Sequence, residues 1–236
     1  GLLRTSGHKY WDLDFPKADE RDPSISEEEH IQAIRSSLLE AIEMRLVADV
    51  PVGCYLSGGI DSCSILGLAA AVNQSPIKAF TIGFDDSRYD ETDIAKEMAE
   101  ATDAEQDGMR LSGDDLYDHF ETTLWHAERT IYNTLGVAKY LMSRHVRHVN
   151  YKVVLTGEGS DELFAGYPAF RRDMFLHGQD HLSNGDQEQS QKRLDQANAL
   201  VTGAMLAAKP VEDPHLTAAV GFTPSCLQPW LACAPL

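Results

Sequence analysis

Basic residues, cysteines and long apolar runs are all scarce in this sequence of 236 residues. The 20 Lys and Arg residues stand against 37 Asp and Glu residues, so the net charge is −17. Nonspecific binding to nucleic acid and adhesion to anionic membranes both require clustered basic side chains, and we expect neither partner. The longest nearly apolar run, residues 63–72, is too short to cross a bilayer, which takes ~20 residues.

The four cysteines, at positions 54, 63, 226 and 233, indicate neither a metal site nor a disulfide framework. No two of them have the C-x₂₋₄-C spacing of zinc or redox motifs, and their density is far below that of small secreted proteins. We therefore expect free thiols and a cytoplasmic protein.

The order of the predicted elements indicates an α/β domain. Predicted strands at 52–56, 79–84, 108–111 and 152–155 alternate with predicted helices at 27–47, 62–72, 91–101, 114–127 and 135–149. Strands that alternate with helices of this length form a mainly parallel sheet, here of about five strands, with helices on both faces. We divide the chain into a lead-in (1–25), the main domain (26–175) and a helical and irregular C-terminal segment (176–236) with a helix at 192–208.

A glycine-rich turn, Ser57-Gly58-Gly59-Ile60-Asp61-Ser62, follows the first predicted strand and begins an Ala-rich helix. Backbone N–H groups, two hydroxyls and the positive end of the helix converge there, which is typical of an anion-binding loop. Asp61 would repel phosphate unless a cation lay between them, and this predicts Mg²⁺. The chain contains no Gly-Lys pair, which excludes the phosphate loop of the GTPases.

A second loop of the same character, Thr156-Gly157-Glu158-Gly159-Ser160-Asp161, follows the strand at 152–155. Loops at the carboxyl ends of parallel strands flank the usual ligand crevice, so we expect the two loops to face each other. Asp161 would then supply a second carboxylate for Mg²⁺. An acidic helix cap is the structural alternative for this loop.

The first loop resembles the S-G-G-x-D-S signature of the ATP pyrophosphatases, which have an adenine-nucleotide α-hydrolase-like fold. Both loops together, preceded by Asp49-Val50-Pro51-Val52-Gly53, resemble the synthetase domain of the asparagine synthetase family over residues 30–175. The resemblance implies that Mg–ATP binds, that the carboxylate of aspartate or a similar acid is adenylated with release of pyrophosphate, and that ammonia then displaces AMP.

The resemblance also implies roles for individual residues. Three groups of binding residues are the pyrophosphate loop (Ser57, Gly58, Gly59, Asp61 and Ser62), the adenosine contacts (Leu56, Ile82, Thr156 and Gly157) and the magnesium carboxylates (Asp61 and Asp161). Two catalytic candidates remain. Glu158 matches the acid beside the adenylation transition state, and Glu128 of Trp125-His126-Ala127-Glu128 matches the base of the ammonia step.

Several alternatives stay open. The segment Arg129-Thr130-Ile131-Tyr132 has no acid where asparagine synthetases often carry one, so the acceptor carboxylate is undetermined. A β-lactam-synthetase-like cyclase and a nucleotide-binding relative without turnover are the alternatives. With Gly1 in place of a nucleophilic cysteine, we expect a piece that lacks the family's glutaminase domain and is truncated at its C-terminus. A glutaminase domain or subunit and a second copy of the chain are the expected protein partners.

Overall fold

The computed structural model describes residues 6–13, 20, 22–73, 75–86, 90–131, 133–177 and 211–233. In these residues one parallel sheet has the strand order β3-β2-β1-β4. The strands are β1 (Val52–Tyr55), β2 (Lys78–Phe84), β3 (Glu105–Leu111) and β4 (Val153–Leu155). The expected parallel α/β architecture is confirmed, with four of the roughly five expected strands in the described part of the chain.

Helices connect the strands and continue beyond them. They are α1 (Glu27–Leu46), α2 (Ile60–Val72), α3 (Thr92–Ala101), α4 (Gly113–Asp118), α5 (Phe120–Ala127), α6 (Leu135–His148), α7 (Ser160–Phe164), α8 (Pro168–His177), α9 (Pro214–Val220) and α10 (Gln228–Cys233). The helix expected at 192–208 lies outside the described residues. No helix in the described ranges combines the length and the apolar character that a membrane crossing needs.

Helices cover both faces of the sheet, as expected. Ile42 of α1, Leu66 of α2 and Ala95 of α3 pack on one face, where Cys54 and Leu155 also point. The other face is covered by α6, whose Met142 and Val146 pack against Phe80. Because side chains alternate along a strand, β1 and β2 contribute to both layers, and this explains their nearly continuous apolar sequences.

The strand order places a ligand crevice beside β1. The chain passes from β1 to β2 and β3 on one side and then returns to add β4 on the other side of β1. The loops after β1 and β4 therefore follow neighbouring parallel strands at their carboxyl ends. Open parallel sheets bind ligands at such a switch point, outside the carboxyl ends of the strands.

Two expected boundaries are wrong. The single helix predicted at 114–127 is broken at His119, whose backbone N–H is shared between the carbonyls of Asp115 and Tyr117. Strand β3 begins at Glu105, three residues before the predicted start. Its first residues are polar because they form ion pairs: Lys78 contacts Glu105 at 2.6 Å and Asp107 at 3.7 Å.

The described cysteines agree with the expected chemistry. Cys54, Cys63 and Cys226 are free thiols. Burial in β1 raises the pKa of Cys54 to about 12, so this thiol is not ionised near neutral pH.

Replacement of Gly53 by alanine should destabilise the sheet. A Cβ at this position in β1 would lie 2.7 Å from Cε2 of Phe80 and 2.9 Å from the carbonyl oxygen of Lys78. Such overpacking costs about 1–3 kcal/mol, which lowers the melting temperature of a domain this size by roughly 2–4 °C per kcal/mol. Gly108→Ala on β3 is the matched control, because nothing lies within 4 Å of its Cβ position. Thermal unfolding followed by circular dichroism measures both; equal melting temperatures would contradict the packing argument.

Candidate functional site

A cavity of about 380 Å³ lies at the carboxyl edge of the sheet, between the loops after β1 and β4. Most of the residues predicted from the sequence line it. They are Leu56, Ser57, Asp61, Ser62, Ile82, Thr156, Gly157, Glu158 and Asp161. Residues separated by about a hundred positions are thus brought to one crevice, as the two loops predicted.

Hydrogen bonds made by its two serines fix the conformation of the first loop. Ser57 N–H donates to Oγ of Ser62 at 3.2 Å, and Oγ of Ser62 donates to the Gly59 carbonyl at 3.0 Å. Gly58 has a φ of +91°, which a residue with a side chain rarely adopts. No described side chain caps α2, and Asp61 and Ser62 of its first turn line the cavity, so the positive end of this helix lies at the cavity.

The second loop packs directly against the backbone of the first loop. A Cβ at Gly157 would lie 2.7 Å from Cβ of Asp61 and 3.0 Å from the backbone nitrogen of Ser62. Only glycine therefore lets β4 present its loop this close to the start of α2. Gly159, with φ of +95°, then turns the chain into α7 and leaves Glu158 exposed at the cavity.

Two aspartates lie near each other across the loops. Burial, followed by the charge of Asp61, raises the pKa of Asp161 above its ordinary value. A divalent cation bound to both carboxylates would remove this repulsion. Within the described residues, no three His, Cys, Asp or Glu side chains gather around one metal position. The pair alone fits Mg²⁺, which proteins commonly hold by one or two carboxylates together with phosphate oxygens and water.

Tyr167 and Glu162 form one rim of the cavity. The Tyr167 hydroxyl donates to Oε1 of Glu162 at 2.9 Å. This bond raises the pKa of Tyr167 to about 12, so the phenol remains a donor at neutral pH.

Lys139 is a site residue that was not predicted from the sequence. This residue lies on α6, lines the cavity and forms an ion pair with Oε1 of Glu158. Leu135 lies four residues before Lys139 and Met142 three residues after it, and both also line the cavity. This spacing places the three residues on one face of a helix and is the sequence feature that could have indicated Lys139. Periodicity could have placed it on that face, although it could not have shown which loop the face meets.

Three predicted residues do not line the cavity. Gly58 and Gly59 belong to the turn of the first loop but are not among the residues that line the cavity. Glu128 is exposed and ends α5 with φ of 50°, outside the residues that line the cavity. Its role in the ammonia step remains a prediction.

Fold and site together define a class of protein. A parallel α/β sheet that presents two glycine-rich acidic loops at its carboxyl edge is typical of nucleotide-binding domains. Residues 33–223 match the family model described as Asparagine synthase. The chain belongs to the asparagine synthase family, which confirms the resemblance drawn from the two loops.

Related proteins carry different names. The chain is 41% identical over 186 residues to "Amidase chyE" of Penicillium rubens, covering 73% of this chain and 27% of that protein. It is 30% identical over 170 residues to Asparagine synthetase (glutamine-hydrolyzing) 1 of Bacillus subtilis, covering 72% and 26%. It therefore spans about a quarter of the length of these relatives. A solved NH₃-dependent NAD synthetase from Campylobacter jejuni is 15% identical over 86% of this chain and 94% of its own, with a TM-score of 0.43.

Asp161→Asn should stabilise the ligand-free protein at neutral pH. The raised pKa of Asp161 means that the folded state disfavours its ionised form. This destabilisation is absent at pH values below 3.8, the ordinary pKa of an aspartate. It grows as the pH rises above 3.8 and is complete once the pH exceeds the raised pKa of Asp161. Urea unfolding in the presence of chelator should show the gain in the free energy of unfolding at pH 7 and a smaller gain toward pH 4.

Asp93→Asn provides the control for that experiment. Asp93 holds the same second position in the first turn of α3 and does not line the cavity. An acid in the first turn of a helix is normally stabilising, so Asp93→Asn should leave the free energy of unfolding unchanged or lower it slightly. A gain for Asp93→Asn equal to the gain for Asp161→Asn would show that the effect does not come from repulsion between the two loops.

Proposed function

We propose that this chain is the synthetase part of an ATP-dependent carbon–nitrogen ligase. It would adenylate a small-molecule carboxylate, release pyrophosphate and transfer nitrogen from ammonia to form an amide. The observation that carries the proposal is the backbone contact between Gly157 and Asp61, which joins an anion-binding loop and an acidic loop in one cavity. Membership of the asparagine synthase family supports the reaction class.

In the first step, a carboxylate oxygen of the substrate would attack the α-phosphorus of ATP. The new P–O bond forms as the bond from the α-phosphorus to the bridging oxygen breaks, and pyrophosphate leaves with that electron pair. The Ser57 hydroxyl and the first N–H groups of α2 would bind phosphate oxygens. The Ser62 hydroxyl, which donates to the Gly59 carbonyl in the ligand-free protein, would turn to do the same. Asp61 and Asp161 would hold Mg²⁺, which supplies positive charge beside the phosphates.

The adenosine part of ATP would lie against the ends of β1, β2 and β4. Leu56 and Ile82 supply apolar surface there, and Thr156 and Gly157 supply backbone polar groups. Pockets of this kind use apolar contact for affinity and a few polar groups for orientation.

In the second step, ammonia would attack the acyl carbon of the adenylate. AMP leaves with the electrons of the C–O bond, and one proton passes from the nitrogen to a protein carboxylate. Glu158 lies at the cavity and Glu128 does not line it, so we assign the proton to Glu158 and retain Glu128 as the second candidate. In the ligand-free protein Glu158 pairs with the Lys139 ammonium, and in the first step its carboxylate would lie beside the adenylation transition state.

The nitrogen source is a further part of the proposal. The Bacillus relative is named as glutamine-hydrolyzing, and we propose that a glutaminase domain or subunit supplies ammonia here too.

The free thiols described above support a cytoplasmic setting. A homodimer remains a prediction. Cyclisation of a β-lactam-synthetase type would consume no added ammonia, so the ammonia requirement distinguishes the two reactions.

Asp61→Asn should weaken ATP binding strongly in magnesium and slightly in chelator, because the carboxylate would act through the ion. Titration calorimetry with a non-hydrolysable ATP analogue measures both affinities. Asp93→Asn is again the control and should bind normally in both buffers. Equal losses with and without Mg²⁺ would remove the metal assignment.

Glu158→Gln should slow pyrophosphate release with little change in ATP affinity. Loss of one preorganised group at the transition state commonly costs ~10²–10³ in rate. The assay is pyrophosphate release against a panel of carboxylates, with ammonia present and absent. Glu128→Gln is the comparison and should retain the ammonia-independent release. A wild-type chain that binds ATP but releases no pyrophosphate with any carboxylate would instead be a nucleotide-binding relative without turnover.

A further inference from the structure

The cavity is strongly acidic. Five of the described residues that line it carry carboxylates: Asp61, Glu91, Glu158, Asp161 and Glu162. Among the same lining residues, Lys139 carries the one permanently positive side chain. A cavity that accepts an anionic nucleotide and an anionic acid needs cations, and the expected magnesium accounts for the end with the two aspartates.

Lys139 pairs with a carboxylate other than the two aspartates of the expected magnesium site. Its ammonium contacts Glu158, whereas the charge of Arg171 acts on Asp161 and only partly offsets the rise in the pKa of that carboxyl. The helix face around Lys139 is otherwise apolar, because Leu135, Ala138 and Met142 of α6 line the cavity beside it. The ammonium is therefore the group on α6 that can bind an anion.

The ion pair with Glu158 is open to exchange. The Lys139 and Glu158 side chains are 51% and 67% exposed, and exposed ion pairs contribute little to stability. A lysine ammonium on a flexible stem has three donors, so it can change partners without rearrangement of the backbone. A carboxylate that entered the cavity could replace Glu158 at small cost.

We propose that Lys139 binds the carboxylate that is to be activated, and that Glu158 is its partner only while the substrate is absent. This inference rests on the proposed function and names the residue that recognises the acid. Exchange of partners would hold the acid in the cavity and reduce its repulsion from ATP. It would also leave the Glu158 carboxylate available to accept the proton from the nitrogen in the second step.

Two substitutions at Lys139 test the assignment. Lys139→Met removes the charge and preserves the length of the side chain, whereas Lys139→Arg preserves the charge. Lys96→Met is the matched control, because Lys96 is an exposed helix lysine paired with Glu100 and does not line the cavity. Thermal unfolding of the three variants shows whether each is folded.

The expected result is a selective loss of affinity for the acid. Lys139→Met should raise KM for the carboxylate by about 10–100-fold, the usual worth of a charge-assisted hydrogen bond. The dissociation constant of the ATP analogue should stay within about twofold. Lys139→Arg should recover part of the loss, and Lys96→Met should behave as wild type. Unchanged KM for the acid, or an equal loss for ATP and acid, would overturn the proposal.

Binding measured without turnover separates this inference from the proposed function. Calorimetry with aspartate, glutamate, β-alanine and benzoate, in the presence of the ATP analogue and Mg²⁺, requires no pyrophosphate release. An acid that binds the wild type and not Lys139→Met supports the role of Lys139 even if catalysis fails. Equal binding by both proteins, or no binding of any acid by the wild type, rejects it.

Discussion

The absence of a side chain at position 157 is the constraint on which the site depends. Gly157 rests against the backbone and Cβ of Asp61 at distances that no Cβ could tolerate. Because of this contact, Glu158 and Asp161 are placed opposite the serines and aspartate of the first loop, and the cavity has two chemically different walls. A larger residue would push β4 away from the start of α2, and the two loops would no longer line one cavity. The chemistry of the site is thus a consequence of one packing contact.

Charge is the second determinant of the site. The first wall offers hydroxyls and uncapped N–H groups, which favour phosphate, while carboxylates dominate the second wall. An acidic cavity repels a bare nucleotide, so a cation must enter with it. The same imbalance extends over the whole chain, whose net charge is −17. If the chain binds ATP as proposed, its affinity would come from local donors and from the ion, since the overall field opposes it.

The sequence allowed the two loops and most of the helices to be predicted because their signals are local. Ser26 and Glu29 form the capping box that begins α1, and the glycines of both loops mark turns directly after buried strands. The start of β3 was missed because Glu105 and Asp107 are polar residues of an edge strand that pair with Lys78. Lys139 was missed because its partner lies 19 residues later on another element. Contacts between elements leave no periodic trace in the sequence, and only the assembled sheet shows them.

The position of β4 in the sheet also governs how the protein is assembled. Val52 pairs with Val153, so the strands that flank the crevice come from positions roughly a hundred residues apart, and contacts of such long range form slowly because a large loop must close first. During synthesis, β1, β2 and β3 are complete before β4 exists. A chain at that stage has an edge where the crevice will be and no binding site. The proposed nucleotide could therefore bind only the finished sheet, and by mass action it would shift the population toward complete folding. Cellular ATP would then act on this chain as a folding ligand as well as a reactant.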